Sequence, residues 1–205
     1  MGGNKMKALF ACLAVAVALG VGVPSAAQGQ GRVAILMPGA GGAHPGDFLI
    51  RNRAQIESAG IRTVVTTSPA EAASISQAET AKGNKVVLVA MSLGVTHASS
   101  ALASGAKVNG AVFVSGVYEE AKSNLGSASR LPTTLMIHHA ADQCRMTTPE
   151  IARNFAQWSG GKATIRWINN TGVAEGRPCG PRGAHGFFRN DGSAVSAITS
   201  FVKSR

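Results

Sequence analysis

The sequence has little charge, few aromatics and almost no cysteine. Charged residues make up 15% of the 205 positions against 45% hydrophobic ones, a balance that excludes an intrinsically disordered chain. Three cysteines are too few for a disulfide-scaffold miniprotein. Aromatics reach only 5%, and they do not interleave with the 20 Lys and Arg as a base-stacking platform would, so no nucleic-acid partner is expected. The formal charge of +10 then reads as solubility, with weak attraction to anionic surfaces or substrates. Acidic residues number ten, and only Asp47, Asp142 and Asp191 are aspartates. There is no internal repeat.

What is present begins with a tripartite N-terminus. Lys5 and Lys7 precede an apolar stretch, Ala8–Val23, and Pro24-Ser25-Ala26-Ala27 follows. Ser25 and Ala27 suit positions −3 and −1 of a signal-peptidase cut, so residues 1–27 are expected to be a cleaved signal peptide. A permanent membrane anchor is the competing reading; the Ala- and Gly-rich run ending in Pro and small residues argues against it. Leu9-Phe10-Ala11-Cys12 is only faintly like a lipoprotein box, since most of the apolar core follows Cys12. Removing 27 residues leaves 178, about one domain with one good core, and lowers the charge to +8. Export to the periplasm or the extracellular space gives the remaining pair, Cys144 and Cys179, an oxidising compartment, in which a disulfide between them is expected.

From Val33 onward, apolar strands alternate with helices. The expected strands are Val33–Met37, Ile61–Thr67, Lys85–Ala90, Val108–Ser115, Thr133–His138 and Ala163–Ile168. Helices are expected over Phe48–Ala59, Pro69–Lys82, Leu93–Ser104, from Thr148 to about Trp158, and over Ser193–Val202. A Gly/Ser/Asn-rich stretch runs to Arg130, and Asn169–Arg189 reads as a long loop. This alternation predicts an α/β doubly wound fold over 28–205: a mostly parallel sheet of about six strands with helices on both faces. Chemistry in such sheets sits beyond the carboxyl ends of the strands.

Four strand ends carry reactive groups. Val89-Ala90-Met91-Ser92-Leu93-Gly94 joins a buried strand to a helix, as a G-x-S-x-G nucleophile elbow does, with Ala90 in the first glycine position. Asp142 lies just past the fifth strand, where a carboxylate can orient a histidine and stabilise its cation. His185 lies between Ala184 and Gly186 in the loop after the last strand, and imidazole is the side chain that titrates nearest neutrality. Singly, each could be an ordinary turn or loop residue. Together they follow the chain order Ser, Asp, His, each beyond a strand, as an α/β-hydrolase triad requires. Cys144 is two residues after Asp142 and Cys179 six before His185, so their bridge would tie the acid loop to the base loop.

The fourth is the glycine loop Met37–Asp47, which would supply a backbone N–H to an oxyanion beside that of Leu93. Ala40 is the favoured donor and Gly41 the next. The loop is not a Walker loop, lacking a terminal Gly-Lys-Ser/Thr. Nor is it a dinucleotide fingerprint, because His44 stands where a third glycine belongs and Thr66, Thr67 and Ser68 stand where an acid belongs. No cofactor is expected. His138, His139, Asp142 and Cys144 match no metal-ligand spacing, and adjacent histidines on an extended chain face opposite ways, so no metal is expected either. His97 reads as a packed helix residue, and His44 as a lining residue near the oxyanion loop.

From about Arg32 to Val202 the chain resembles the α/β-hydrolase superfamily in a short form without a cap domain. The elbow VAMSLG, the loop PGAGG, the strand end IHHAADQC and the loop CGPRGAHGF carry the resemblance. The neighbourhoods of Cys144 and Cys179 look like a bacterial exported subset. The resemblance implies serine ester hydrolysis of a small acyl substrate, with Ser92 as nucleophile, His185 as base and Asp142 as its orienter. It departs at Ala90, and at Pro38, where the loop usually leads with His. Two other readings stay open: a non-catalytic binding protein on the same fold, and a thioesterase, peptidase or acyltransferase with the same triad. Acyl-chain length and oligomeric state are not legible.

Overall fold

Each of the six apolar runs becomes a strand. The computed structural model describes residues 1–2, 30–169 and 175–205, so all but the first two residues of the expected signal peptide, Cys12 included, lie outside the described residues. The strands are β1 (Arg32–Met37), β2 (Arg62–Val65), β3 (Lys85–Met91), β4 (Gly110–Val114), β5 (Thr134–His139) and β6 (Ala163–Ile168). They form one sheet in the order β2-β1-β3-β4-β5-β6, and every pairing is parallel.

A parallel sheet is covered on both faces, and the burial follows. All of β4 and all but the first residue of β3 are buried, while the edge strands β2 and β6 mix buried and exposed positions. Ile35, Leu88 and Phe113 face a core completed by α3 (Pro69–Ala81), α4 (Leu93–Ala103), α5 (Tyr118–Leu125) and α6 (Pro149–Trp158). Leu36, Val89 and Val112 face the other, completed by α1 (Phe48–Arg51), α2 (Arg53–Ser58) and α7 (Asp191–Lys203). Burying one such large apolar side chain stabilises by roughly 1.5–3 kcal/mol relative to exposure.

Two helices differ from the sequence reading. The single helix expected over Phe48–Ala59 breaks at Asn52, whose backbone leaves helical values (φ −101°, ψ 4°). Its buried side-chain amide donates to the Phe48 carbonyl at 2.8 Å and closes the first turn locally. The stretch expected to be irregular up to Arg130 contains α5. Its buried face is Tyr118, Ala121 and Leu125, an i, i+3, i+7 spacing, with Glu119 and Glu120 in the first turn and left-handed Gly126 (φ 66°) ending it.

The strand order reverses between β1 and β3. Met37 pairs with Ala90 there, so the segments leaving those two strands start side by side. That is the switch point at which an open α/β sheet offers a crevice.

Candidate active site

The turn between β3 and α4 is built around Ser92. Its backbone has φ 53° and ψ −119°, a conformation that L residues rarely adopt. Neighbouring chain holds it there: the Ser92 amide donates to the Val114 carbonyl at 2.9 Å, and its carbonyl accepts from Val117 at 3.2 Å. The tight approach is on the downstream side. A Cβ on Gly94 would lie 2.0 Å from the Met37 carbonyl oxygen and 2.6 Å from that of Pro38. Ala90 sits inside β3 in regular ladder register with Met37 and Phe113, where a methyl group fits the core.

Ser92, His185 and Asp142 come together. His185 Nε2 lies 3.1 Å from Ser92 Oγ, and His185 Nδ1 lies 3.0 Å from Asp142 Oδ2. Asp142 follows β5 in a turn in which its amide donates to the His139 carbonyl, and its Oδ1 accepts from the Cys144 amide at 2.9 Å. His185 belongs to a single 3-10 turn, Ala184–Gly186. That turn is pressed so closely on Pro181 that a Cβ on Gly186 would lie 2.3 Å from the Pro181 carbonyl oxygen. Beyond it Phe187 is buried against the Phe48 ring, at a centroid distance of 5.3 Å. Asp142 is 4% exposed and His185 2%, so their contact is shielded from bulk water and correspondingly strong.

Cys144 and Cys179 are joined by a disulfide, which links the turn holding Asp142 to the loop leading to His185. Cys179 also walls a cavity of about 280 Å³ in front of Ser92 and His185, with Gly39, Ala40, Gly41, His44, Asp47, Phe48, Met91 and Pro181. In the loop after β1, the Gly39 amide is bound to the Asp47 carboxylate at 2.9 Å and the Gly42 amide to the Gly39 carbonyl. Among the described residues, the amides of Ala40, Gly41 and Leu93 have no acceptor. Asp47 also caps α1, accepting from Leu49 and Ile50. Burial raises its pKa above the usual aspartate range, against the opposing pull of those amides and Arg51.

The adjacent histidines of β5 face opposite sides of the sheet. His138 is enclosed by Tyr118 and Trp167, while His139 lies beside the tilted ring of Phe187. His97, on α4, is half-buried and lines no part of the cavity. Among the described residues, no group of three His, Cys, Asp or Glu side chains is gathered to hold a metal ion, and no helix is long and apolar enough to cross a membrane.

No protein-family model matches the chain, and no curated protein matches it in sequence. Solved structures do match in shape. A putative hydrolase of the α/β superfamily from Xanthomonas campestris pv. campestris superposes with a TM-score of 0.61 at 16% identity, covering 85% of this chain and 99% of that one. The fold is that of the α/β-hydrolases. An esterase from Pyrococcus furiosus shares it (TM-score 0.60, 10% identity, 86% of this chain and 83% of that one). So does a monoacylglycerol lipase from Paleococcus ferrophilus (TM-score 0.58, 13% identity, 85% of this chain and 96% of that one).

Three residues of this α/β-hydrolase fold support the site without a role that the sequence assigned them. Asp47 braces the glycine loop, and its position directly before Phe48 is a legible N-cap signal. Thr147, fully buried, donates to Asp142 Oδ2 at 2.9 Å. Arg51, which carries no site signal in the sequence, lies half-buried between the glycine loop and the His185 loop, donating to the Gly46 and Gly186 carbonyls. Only the folded chain brings its partners together.

Proposed function

We propose that the chain is an exported serine hydrolase cleaving a carboxylic ester of a small acyl substrate. The observation that carries this reading is the continuous path Ser92 Oγ–His185 Nε2 at 3.1 Å and His185 Nδ1–Asp142 Oδ2 at 3.0 Å, ending on a strained serine. In the reaction, His185 Nε2 takes the Ser92 proton as Oγ attacks the acyl carbon. The N–H groups of Leu93 and Ala40, with Gly41 as the neighbouring donor, face the developing oxyanion. Asp142 stabilises the imidazolium, which passes its proton to the leaving alcohol. Water deprotonated by His185 then attacks the acyl-serine; collapse releases the acid and restores Ser92. A cavity of about 280 Å³ without a cap domain favours short acyl groups. The N-terminal segment and the Cys144–Cys179 bridge support export.

A fluorophosphonate probe tests the reading. It should label the native protein at Ser92, and Ser92→Ala should stay folded, lose labelling, and lose p-nitrophenyl ester turnover by roughly 10⁴-fold or more. Labelling at another serine overturns the assignment, and no labelling of the native protein leaves a binding protein on a hydrolase fold. Matched esters, thioesters and peptides separate an esterase from a thioesterase, peptidase or acyltransferase.

A further inference from the structure

Asp142 Oδ2 is the meeting point of a third group that the triad does not use. The Thr147 hydroxyl lies 2.9 Å from Asp142 Oδ2 and 3.0 Å from His185 Nδ1, closing a triangle with the 3.0 Å His–Asp contact. A carboxylate only accepts, so the single hydroxyl proton goes to Oδ2. The hydroxyl oxygen keeps its lone pairs, and the Nδ1–H of His185 then faces two acceptors. We propose that Thr147 is a positioning residue of the acid–base pair, fixing the Nδ1–H tautomer of His185 and drawing charge from the Asp142 carboxylate. The proposal rests on the hydrolase reading for its catalytic meaning, but its contact does not.

Two effects follow. With the proton held on Nδ1 by both oxygens, the Nε2 lone pair stays directed at Ser92. The hydrogen bond donated to Oδ2 also anchors the Asp142 carboxylate, so the acceptor that faces Nδ1 is held in one orientation. The turn itself does not need the hydroxyl. Its backbone is closed by the Thr147 amide on the Cys144 carbonyl at 2.9 Å, by the Cys144 amide on Asp142 Oδ1, and by the disulfide. Removing the hydroxyl therefore changes the charge balance at Oδ2 and leaves the scaffold standing.

The other titratable groups around His185 are unchanged by such a substitution. His138 lies 3.6 Å from Asp142 Oδ2, but burial pushes its pKa down to about 4, so it stays neutral while an ordinary histidine titrates. His139 is on the opposite face of β5 from His138, Arg51 donates to the Gly186 carbonyl, and Asp47 and His44 line the same cavity.

The test compares Thr147→Val and Thr147→Ser in the full chain, following the low-field proton NMR resonance of His185 Nδ1–H together with kcat and KM. Thr147→Val should lower kcat about tenfold with KM within about twofold. The His185 Nδ1–H resonance should move from its native position, because one of its two acceptors is gone. Thr147→Ser should return both to native values. Thr147→Ala provides a second hydroxyl deletion if the valine variant does not fold. An unchanged His185 Nδ1–H resonance in a folded hydroxyl deletion, or a loss that serine does not restore, overturns the proposal. If the native protein turns over no acyl substrate, the hydrolase reading fails and the Nδ1–H resonance still decides the Thr147 contact.

Discussion

Arg51 grips Asp191 at two points, Nη2 to Oδ1 at 2.6 Å and Nε to Oδ2 at 3.3 Å. The same guanidinium donates to the carbonyls of Gly46 at 2.8 Å, Pro181 at 3.4 Å and Gly186. One side chain thus ties the glycine loop, the His185 loop and the start of α7. Arg51→Met strands several acceptors at once and should cost about 2–4 kcal/mol of stability. Ester turnover should fall with it, by more than in Asp191→Asn, and Arg51→Lys should not rescue, because an ammonium cannot reproduce the forked geometry. Urea unfolding and turnover measured on the same preparations check this; a native midpoint in Arg51→Met would refute it.

Gly94 and Ala90 occupy equivalent-looking positions two residues either side of Ser92 but should respond oppositely. Gly94→Ala forces a methyl group to within 2.0 Å of the Met37 carbonyl oxygen, so backbone must move. A loss of roughly 3 kcal/mol or more, or no soluble protein at all, is expected. Ala90→Gly removes only a methyl group from a core strand and should cost about 1 kcal/mol while turnover stays within a few-fold. Thermal melting of the two variants separates these outcomes.

Reduction of the Cys144–Cys179 bridge should act on stability and catalysis together. The bridge spans 35 residues, and the chain-entropy model assigns a loop of that size about 3–4 kcal/mol. Cys144 also presents its amide to Asp142 Oδ1, so loosening it disturbs the carboxylate directly. Cys144→Ser, or native protein in reductant, should melt lower and show reduced kcat. Unchanged kcat in a variant that melts several degrees lower would detach the disulfide from the site.

His138 makes the fold acid-sensitive. Burial pushes its pKa from 6.5 down to about 4, although Asp142 pulls the other way. Between those values the unfolded chain binds a proton that the folded chain refuses, so this contribution to stability falls as pH drops from about 6.5 to about 4. His138→Leu keeps similar bulk between Tyr118 and Trp167 without the titrating ring. Relative to native protein, it should gain about 2 kcal/mol on going from pH 8 to pH 5, by chemical denaturation. A gap between the two proteins that does not change with pH would refute it.

Much of this architecture was legible because one physical signal, apolar runs alternating with amphipathic stretches, marks each strand of a sheet buried on both faces. Ser92, Asp142 and His185 were legible for a related reason: each lies just past a strand, and the strand ends are where such a sheet gathers its reactive groups. The disulfide followed from counting cysteines. What escaped was decided by contacts between distant segments. Helix α5 lacks a side-chain cap at Val117, and its flanking Gly, Ser and Asn residues masked the Tyr118, Ala121, Leu125 spacing. The break at Asn52 comes from a buried amide turning back on Phe48, which no local propensity announces. Thr147 resembles any turn threonine, and Arg51 any surface arginine, until chain 38 and 140 residues away folds against them.

The posture of Ser92 has a cost that the proposed reaction would account for. At φ 53° and ψ −119° the backbone is where glycine rests without strain and a side-chain-bearing residue gives up about 1–3 kcal/mol. A sequence selected for durability alone would place glycine there, and the Ser92→Gly protein should accordingly outlast its parent on heating while doing nothing to an ester. If the proposed reaction holds, sturdiness and reactivity are set against each other at this one peptide unit, and a hunt for heat-resistant variants that ignored turnover would be drawn first to the nucleophile.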